Sequence, residues 1–345
     1  MTDNRRYYRN AEITIQVDSD LPFSDSTFNK AIELFRVDSP GDDLVTIHHH
    51  FGLPDLSTLD LSKEVYRKTP WAIYRQSDGW LYLGISPTEQ DKTLRCIAKF
   101  DQNYSHTLVY HPESNEFKKG DLQSLSMLIT DQILIARLLA DRRGCYLHSA
   151  GAILNAAGML FVGHSGAGKS TTSRLLMQAR YFATAKPGTL NSPQNKSHDV
   201  VAEAHNQFPG LSVEILCDDR NIIRRFKGGW RVYGSWNHGD IVEVSPDSSV
   251  LGAVLFLQQD KKNELVQITD RKEIWRRLLS TLIKPMVTAD WWQKEIDMLE
   301  HLVKEVPFYT MHFDMSGNIV NELEKLSIKN ALHQTPNPIK STVLP

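Results

Sequence analysis

Cysteine is scarce. The 345 residues hold three, Cys96, Cys145 and Cys217, which are far apart and odd in number. No C-x-x-C pair occurs, so neither a disulfide framework nor a zinc knuckle fits, and a reducing, cytoplasmic setting is the simplest expectation. Long apolar runs are also missing. The longest strongly apolar stretch is Val250–Leu257, whereas a membrane-spanning helix needs about 20 such residues. The opening MTDNRRYYRN lacks the apolar centre of a secretory signal. Net charge is nearly absent, since 39 Lys and Arg against 41 Asp and Glu leave −2. Nothing global therefore points to nucleic acid or to an acidic membrane surface. What is present is ordinary: 41% hydrophobic and 23% charged residues, enough for a sizeable core.

This length suggests two domains. Residues 1–120 read as short strands: AEITIQV alternates like a half-buried strand, and LVTIHHHF, WAIYRQ, GWLYLGI, TLRCIAKF and HTLVYH follow. Turn residues such as Ser77-Asp78-Gly79 separate them, so a mostly antiparallel, β-rich N-terminal domain is expected. His48, His49 and His50 lie in one strand. Adjacent strand residues face opposite ways, so only His48 and His50 share a face, and no ligand role is expected. Leu122, Leu125, Leu128, Ile129, Ile133, Leu138 and Leu139 recur at helical spacing. They predict a connecting helix over 121–144 that stops at Gly144. No Gly/Ser linker marks the boundary, so the two parts are expected to pack closely.

From Cys145 the pattern is strand, turn, strand, loop, helix: YLHSAGAIL, the turn Asn155-Ala156-Ala157-Gly158, then MLFVG. Doubly wound nucleotide folds join parallel strands by helical crossovers, so a hairpin here is informative. Residues 184–211 are polar and rich in Pro, Asn, Gly and Ser, which predicts a long mobile surface loop. LSVEILCDD is a strand ending in two aspartates, and NIIRRF, GWRVYGSW, IVEV and VLGAVLFLQQ follow as strands. Asp270 and Glu273 suit a capping box for a helix reaching about Lys284. Residues 289–305 form an amphipathic helix with Trp292, Ile296, Leu299 and Val303 on one face, and VPFYTMHF is a closing strand. The polar segment 327–345 is expected to be a disordered tail.

Gly163-His164-Ser165-Gly166-Ala167-Gly168-Lys169-Ser170 fits G-x-x-x-x-G-K-[ST] in full, with an apolar strand before it and a helix from Thr171 after it. Glycines let backbone amides approach phosphate oxygens as an anion nest. The helix start faces the same anion. Lys169 supplies charge for the β- and γ-phosphates, and the Ser170 hydroxyl can ligate Mg²⁺. A transporter-type ATPase needs an L-S-G-G-Q-like signature, which is absent. A regulatory GTPase needs D-x-x-G followed by N-K-x-D. Asn195-Lys196-Ser197-His198-Asp199 has one residue too many, and Asp314-Met315-Ser316-Gly317 comes after it. A kinase needs a metal-positioning carboxylate and a base near the incoming hydroxyl, and Asp218-Asp219 meets that need. Arg220, Arg224 and Arg225 read as strand-face residues rather than arginine fingers. Trp230 and Trp236 flank a Gly-rich turn, where they could shape an acceptor pocket. Of Trp291 and Trp292, at least one is expected to pack in the core.

L-H-S-A-G-A-I-L, G-H-S-G-A-G-K-S and L-C-D-D-R, in this order, resemble the catalytic domain of HPr serine kinase/phosphorylase over roughly residues 145–325. Val232-Tyr233-Gly234-Ser235-Trp236 followed by Gly239-Asp240 is closer to the divergent HPr-kinase-related proteins of peptide-modification clusters. Some of those phosphorylate a serine of a lasso-type precursor peptide. The resemblance implies an α/β (α+β) fold with a PEP-carboxykinase-like P-loop catalytic domain over 145–326. It implies Asp218 as general base, Asp219 as metal or phosphate partner, and His148 beside the reacting phosphate. The E-I-R-G-L-G-like run of true HPr kinases is absent, so Asp240 or Glu243 is the candidate for its metal-binding glutamate, and HPr is not the expected acceptor. Such proteins often form rings, which extends the implication to a homo-oligomer.

The expectation is an ATP- and Mg²⁺-dependent kinase acting on a hydroxyl, a serine of a peptide or small protein, without nucleic-acid or membrane partners. The alternatives are a nucleotide-binding regulatory module with vestigial catalysis and a small-metabolite kinase.

Overall fold

A computed structural model describes residues 3–86, 93–128, 131–184, 208, 210–285 and 288–333. It is a mixed α/β structure with two large mixed sheets and seven helices among the described residues.

The first sheet opens with a hairpin of β1 (Arg5–Asn10) and β2 (Ile13–Ser19). Ala11 and Glu12 turn it with φ of 51° and 61°, the left-handed pair that a two-residue hairpin requires. The other strands are β3 (Arg36–Val37), β4 (Leu44–Phe51), β5 (Glu64–Lys68), β6 (Trp71–Arg75), β7 (Gly79–Gly84), β8 (Cys96–Asp101) and β9 (His106–His111). Their order is β3-β1-β2-β4-β9-β8-β7-β6-β5. The neighbours pair antiparallel except β2 with β4 and β4 with β9, which are parallel. Two short helices, α1 (Lys30–Glu33) and α2 (Asn115–Lys119), belong to this half.

The expected helix over 121–144 is confined to α3 (Gln132–Ala140). Asp131 explains the shorter span. Its buried carboxylate accepts from the backbone N–H groups of Leu125 (2.8 Å) and Ser126 (2.9 Å) and from the Ser126 hydroxyl (2.6 Å). The segment ahead of it is thereby held as an irregular turn, and Leu125 and Leu128 still reach the core.

The second half is built on two long strands, β10 (Gly144–Leu154) and β15 (Ser248–Gln259), which take part in two layers. The start of β10 pairs with β13 (Arg220–Phe226), which continues through β14 (Gly229–Tyr233) to the start of β15. The end of β10 pairs with β11 (Ala157–Val162) and β12 (Val213–Cys217). β11, β15 and β17 (Phe308–Phe313) run parallel, and β16 (Glu264–Gln267) closes that edge antiparallel. Helices α4 (Lys169–Thr184), α5 (Arg271–Thr281), α6 (Ala289–Glu305) and α7 (Ile319–His333) complete this half. The β10–β11 hairpin turns at Asn155 and Ala156, both at positive φ.

Three further expectations change. IVEV is not a strand. Its Ile241 amide is spent on Asp218 instead of a ladder. The expected tail is helical through His333, because Leu326 and Ser327 are buried, Asn155 Nδ2 donates to Ser327 Oγ (3.0 Å) and Asn330 Nδ2 donates to Gly252 O (3.1 Å). Most of the expected 184–211 loop, and the tail from 334, lie outside the described residues.

One apolar core crosses from the first sheet into the second half, joining Tyr8, Phe35 and Ile47 to Tyr146, Ile222 and Trp236. The close packing expected from the missing linker is therefore present. Apolar area of this kind is the main favourable contribution to folding.

Candidate functional site

The parallel strands β11 and β15 end side by side, with Val162 opposite Phe256. Carboxyl ends of adjacent parallel strands are where α/β sheets open a crevice. Residues 163–168 turn there from β11 into α4. Gly163 is required by close approach: a Cβ would sit 2.6 Å from the Ala167 Cβ. Gly168 is required twice, by its φ of +106° and by Phe313 Cζ, 2.6 Å from where a Cβ would stand. Gln259 Nε2 donates to Gly166 O at 2.9 Å and ties the turn to the end of β15.

Lys169, the first residue of α4, turns back under the loop. Its Nζ donates to Gly163 O (3.1 Å) and His164 O (3.2 Å) and lies 3.0 Å from His148 Nε2. His148 Nδ1 stands 3.1 Å from Asp219 Oδ1, and Arg220 Nη2 lies 3.3 Å from Asp219 Oδ2. Lys169 has no acceptor capacity and a carboxylate has no donor. Only the neutral tautomer with its proton on Nδ1 serves both partners of His148. Burial lowers the Lys169 ammonium below its ordinary value, while the charges of Asp219 and Asp218 act against that. Burial pushes the Asp219 carboxyl up, but the His148 hydrogen bond and the nearby cations outweigh it and leave the group below the usual carboxylate value.

Asp218 leaves β12 in a different environment. It is 1% exposed. Its Oδ1 accepts from the Gly239 N–H (2.7 Å), and its Oδ2 accepts from the Ile241 N–H (2.9 Å) and the Ser170 hydroxyl (3.3 Å). Three of about four lone-pair sites are thus occupied. The loop supplying those amides is fixed from behind. Tyr146 OH donates to Ser235 Oγ (3.1 Å), Asn237 Nδ2 donates to Tyr146 OH (3.0 Å), and Trp236 Nε1 donates to Asp131 Oδ2 (3.0 Å).

These side chains converge on a cleft of about 300 Å³. His148, Lys169, Ser170, Asp218, Asp219 and Asp240 all line it. Ser165, Gly166, Gly168 and Thr171 share the wall, Ala167 is buried behind it, and His164 is exposed with its Nδ1 beside Ser165 O (3.0 Å). Two larger hollows, of about 810 and 550 Å³, lie elsewhere, and neither lining combines a lysine, a histidine and paired aspartates.

Other sequence candidates go to structural positions. Glu243 pairs with Arg180 through both oxygens (2.6 and 2.8 Å), so of the two candidates for the missing glutamate it is Asp240 that lines the cleft. Trp236 does not line the cleft. It is buried edge-on against Phe35, ring centroids 5.3 Å apart, in the shared core. Trp230 is buried under α6 and donates to Glu305 (2.7 Å). Arg225 also pairs with Glu305, and Arg224 donates to Ala11 O and Arg142 O. Trp291 is buried and donates to Ala136 O (3.1 Å). Sequence reasoning missed Gln259, Arg174, which also lines the cleft, and the Gly239 and Ile241 amides that hold Asp218. Gln259 carries no sequence signal of its own, because its place depends on β15 running beside the strand that feeds the loop.

No protein-family model and no curated protein matches the chain. No helix among the described residues is long and apolar enough to cross a membrane.

Proposed function

We propose that the chain is an ATP- and Mg²⁺-dependent phosphotransferase, built on a PEP-carboxykinase-like P-loop domain, that moves a γ-phosphate onto the serine hydroxyl of a peptide or small protein. The observation that carries this reading is the convergence of two contacts on one cleft: Lys169–His148–Asp219 and Ser170–Asp218. A lysine, a hydroxyl and two carboxylates around a glycine-rich helix start are the parts that phosphoryl transfer requires.

The donor chemistry fits the metal. The Ser170 hydroxyl and the Asp219 carboxylate, both on the cleft wall, are hard oxygen donors of the type Mg²⁺ takes alongside water and phosphate oxygens. Bound there, Mg²⁺ would neutralise charge on the β- and γ-phosphate oxygens. The buried Lys169 ammonium acts where its charge is poorly screened. Asp219, held anionic by His148 and Arg220, keeps His148 oriented toward Lys169. Asp218 accepts the proton of the serine hydroxyl as that oxygen bonds to the γ-phosphorus and the bond to ADP breaks.

The 3.3 Å contact with Ser170 favours a second reading, in which Asp218 holds the metal and is not the base. One experiment separates them. Labelled ATP is incubated with serine peptides encoded beside the gene, and phosphate adducts are followed by mass spectrometry across a Mg²⁺ titration. Lys169→Ala is expected to abolish transfer. If Asp218 is the base, Asp218→Asn binds MgATP normally and transfers about 10²–10⁴-fold more slowly at every Mg²⁺ concentration. If it is a metal ligand, high Mg²⁺ restores the rate. The Asn amide can accept from only one of the two backbone N–H groups, so a stability loss of about 1–3 kcal/mol accompanies it. ATP that binds but is never consumed, with peptides, small hydroxyl compounds or water, would overturn the enzyme reading in favour of a regulatory nucleotide-binding module.

A further inference from the structure

The outer face of the N-terminal sheet carries a second constellation, unconnected with the phosphate loop. His48 and His50 alternate on β4 and point outward, while Val45, Ile47 and His49 point into the core. Asp20 follows the end of the parallel neighbour β2, and its backbone N–H donates to His49 O at 3.1 Å. That bond fixes the carboxylate over the outward face. Its Oδ1 lies 3.0 Å from His48 Nε2 and its Oδ2 lies 3.0 Å from His50 Nδ1. The imidazoles stack at 4.1 Å with an interplanar angle of 14°, and Tyr110 of β9 stacks on His50 at 4.9 Å. The two ring planes are close to parallel, so a cation bound in the plane of both requires one ring to turn about its side-chain torsions.

We propose that Asp20, His48 and His50 form a binding site for one divalent transition-metal cation of the zinc class. The three donor atoms lie within 4.8 Å of one another. Zinc bonds to imidazole nitrogen and carboxylate oxygen of about 2.0–2.2 Å hold such atoms in a tetrahedron, so closure is a matter of side-chain rotation. Two imidazole nitrogens and one carboxylate oxygen suit zinc and its neighbours rather than Mg²⁺ or Ca²⁺. Ligation through His48 Nε2 and His50 Nδ1 leaves each ring its proton on the other nitrogen, the neutral form that binds metal. One dication shared between the two rings and the carboxylate meets all three donor atoms at once. The side chains are 46%, 37% and 29% exposed for Asp20, His48 and His50, so a fourth position stays open to water. The bound cation clips the end of β2 to β4.

The test uses the full-length protein, cleared of metal and held in excess Mg²⁺ to fill oxygen-donor sites. Zn²⁺ is titrated by calorimetry and Co²⁺ by visible absorption. Binding of one equivalent is expected, with Kd on the order of micromolar and a Tm that rises with free metal, together with a Co²⁺ ligand-field band. Asp20→Asn, His48→Asn and His50→Asn are each expected to weaken binding by at least about ten-fold. ATP affinity should be unchanged in each variant, and the Tm of each should no longer rise with added metal. No saturable binding up to millimolar metal would overturn the site, and so would wild-type affinity retained in any of the three variants.

Discussion

At the scale of single residues, Gly168 sets the tightest requirement. Its φ of +106° lies where L side chains are strained, and Phe313 fills the space a Cβ would need. Neither problem is relieved by moving a flexible side chain tip, because the ring belongs to the buried end of β17. Gly168→Ala therefore has to shift the backbone of the loop that places Lys169 and Ser170. A stability loss of about 1–3 kcal/mol is expected from the backbone strain alone, and affinity for a fluorescent ATP analogue should fall by more than the Tm change explains. Unchanged Tm and affinity would mean that the loop tolerates a different geometry. Asp218 and Asp219 show how neighbouring carboxylates diverge. One is enclosed by two backbone amides and a hydroxyl, the other is drawn to a histidine and an arginine. Their sequence adjacency gives no hint of that division, because it depends on where the 235–241 loop folds back.

At the scale of elements, α6 carries a burden its sequence conceals. Glu295 lies on its buried face, and its Oε2 has no hydrogen-bond partner among the described residues. Burial raises its carboxyl well above the ordinary value of 4.5. The folded protein therefore keeps this acid protonated while the unfolded chain releases the proton. Stability from that group is whole below about pH 4.5 and drains away as pH rises toward the folded-state value. Glu295→Gln is expected to stabilise at pH 8 by about 1–3 kcal/mol and to do little at pH 5, measured by denaturant unfolding at both. An equal effect at the two values would show that the carboxyl is not held neutral. In a heptad-like stripe Glu295 simply reads as a polar-face residue; of the four residues the sequence puts inward, Leu299 is buried, Trp292 and Val303 pack against the core, and Ile296 is exposed instead. Other elements divide along similar lines. Six N-terminal strand segments and the hairpin before the loop were legible, because alternation and turn chemistry act locally. The β1 strand, RRYYRN, was not, since Arg6 is buried by ion pairs with Asp3 and Glu33 that no local pattern shows. The helix over 121–144 failed for the opposite reason: helical spacing was present, but the Asp131 carboxylate captured the backbone donors. In the candidate site, motif residues and the aspartate pair were readable from type and spacing. Gln259 and the loop amides required knowing which strands lie side by side.

At the scale of the whole molecule, a chain of polar contacts runs from the N-terminal sheet to the cleft. His111 Nε2 and His49 Nδ1 are 3.0 Å apart, and His49 Nε2 donates to Leu125 O at 2.8 Å. The Leu125 N–H donates to Asp131, Asp131 accepts from Trp236, and the Trp236 loop supplies the amides that hold Asp218. Arg142 with Asp43 (2.7 Å) and Arg224 with Ala11 O add further ties between the halves. The histidine pair is the acid-sensitive link. Burial lowers His49 to about 3, reinforced by His111, and lowers His111 to about 4, against an ordinary 6.5. Both are neutral in the fold. As pH falls below 6.5 the unfolded chain takes up two protons that the folded protein refuses until about pH 4 and 3. The stability they confer is complete above 6.5 and is lost across that window. Each group contributes up to about 1.4 kcal/mol per pH unit and the pair about 2.7 once the unfolded histidines are fully charged. Denaturant midpoints should fall steeply between pH 6 and 4, and ATP binding should disappear in the same transition because one core serves both halves. In the double variant His49→Gln, His111→Gln the protein is weaker at pH 7, yet its stability should depend on pH less steeply by about that 2.7 kcal/mol per unit. A slope unchanged from wild type would place the acid sensitivity elsewhere and detach the histidine pair from the bridge to Asp218.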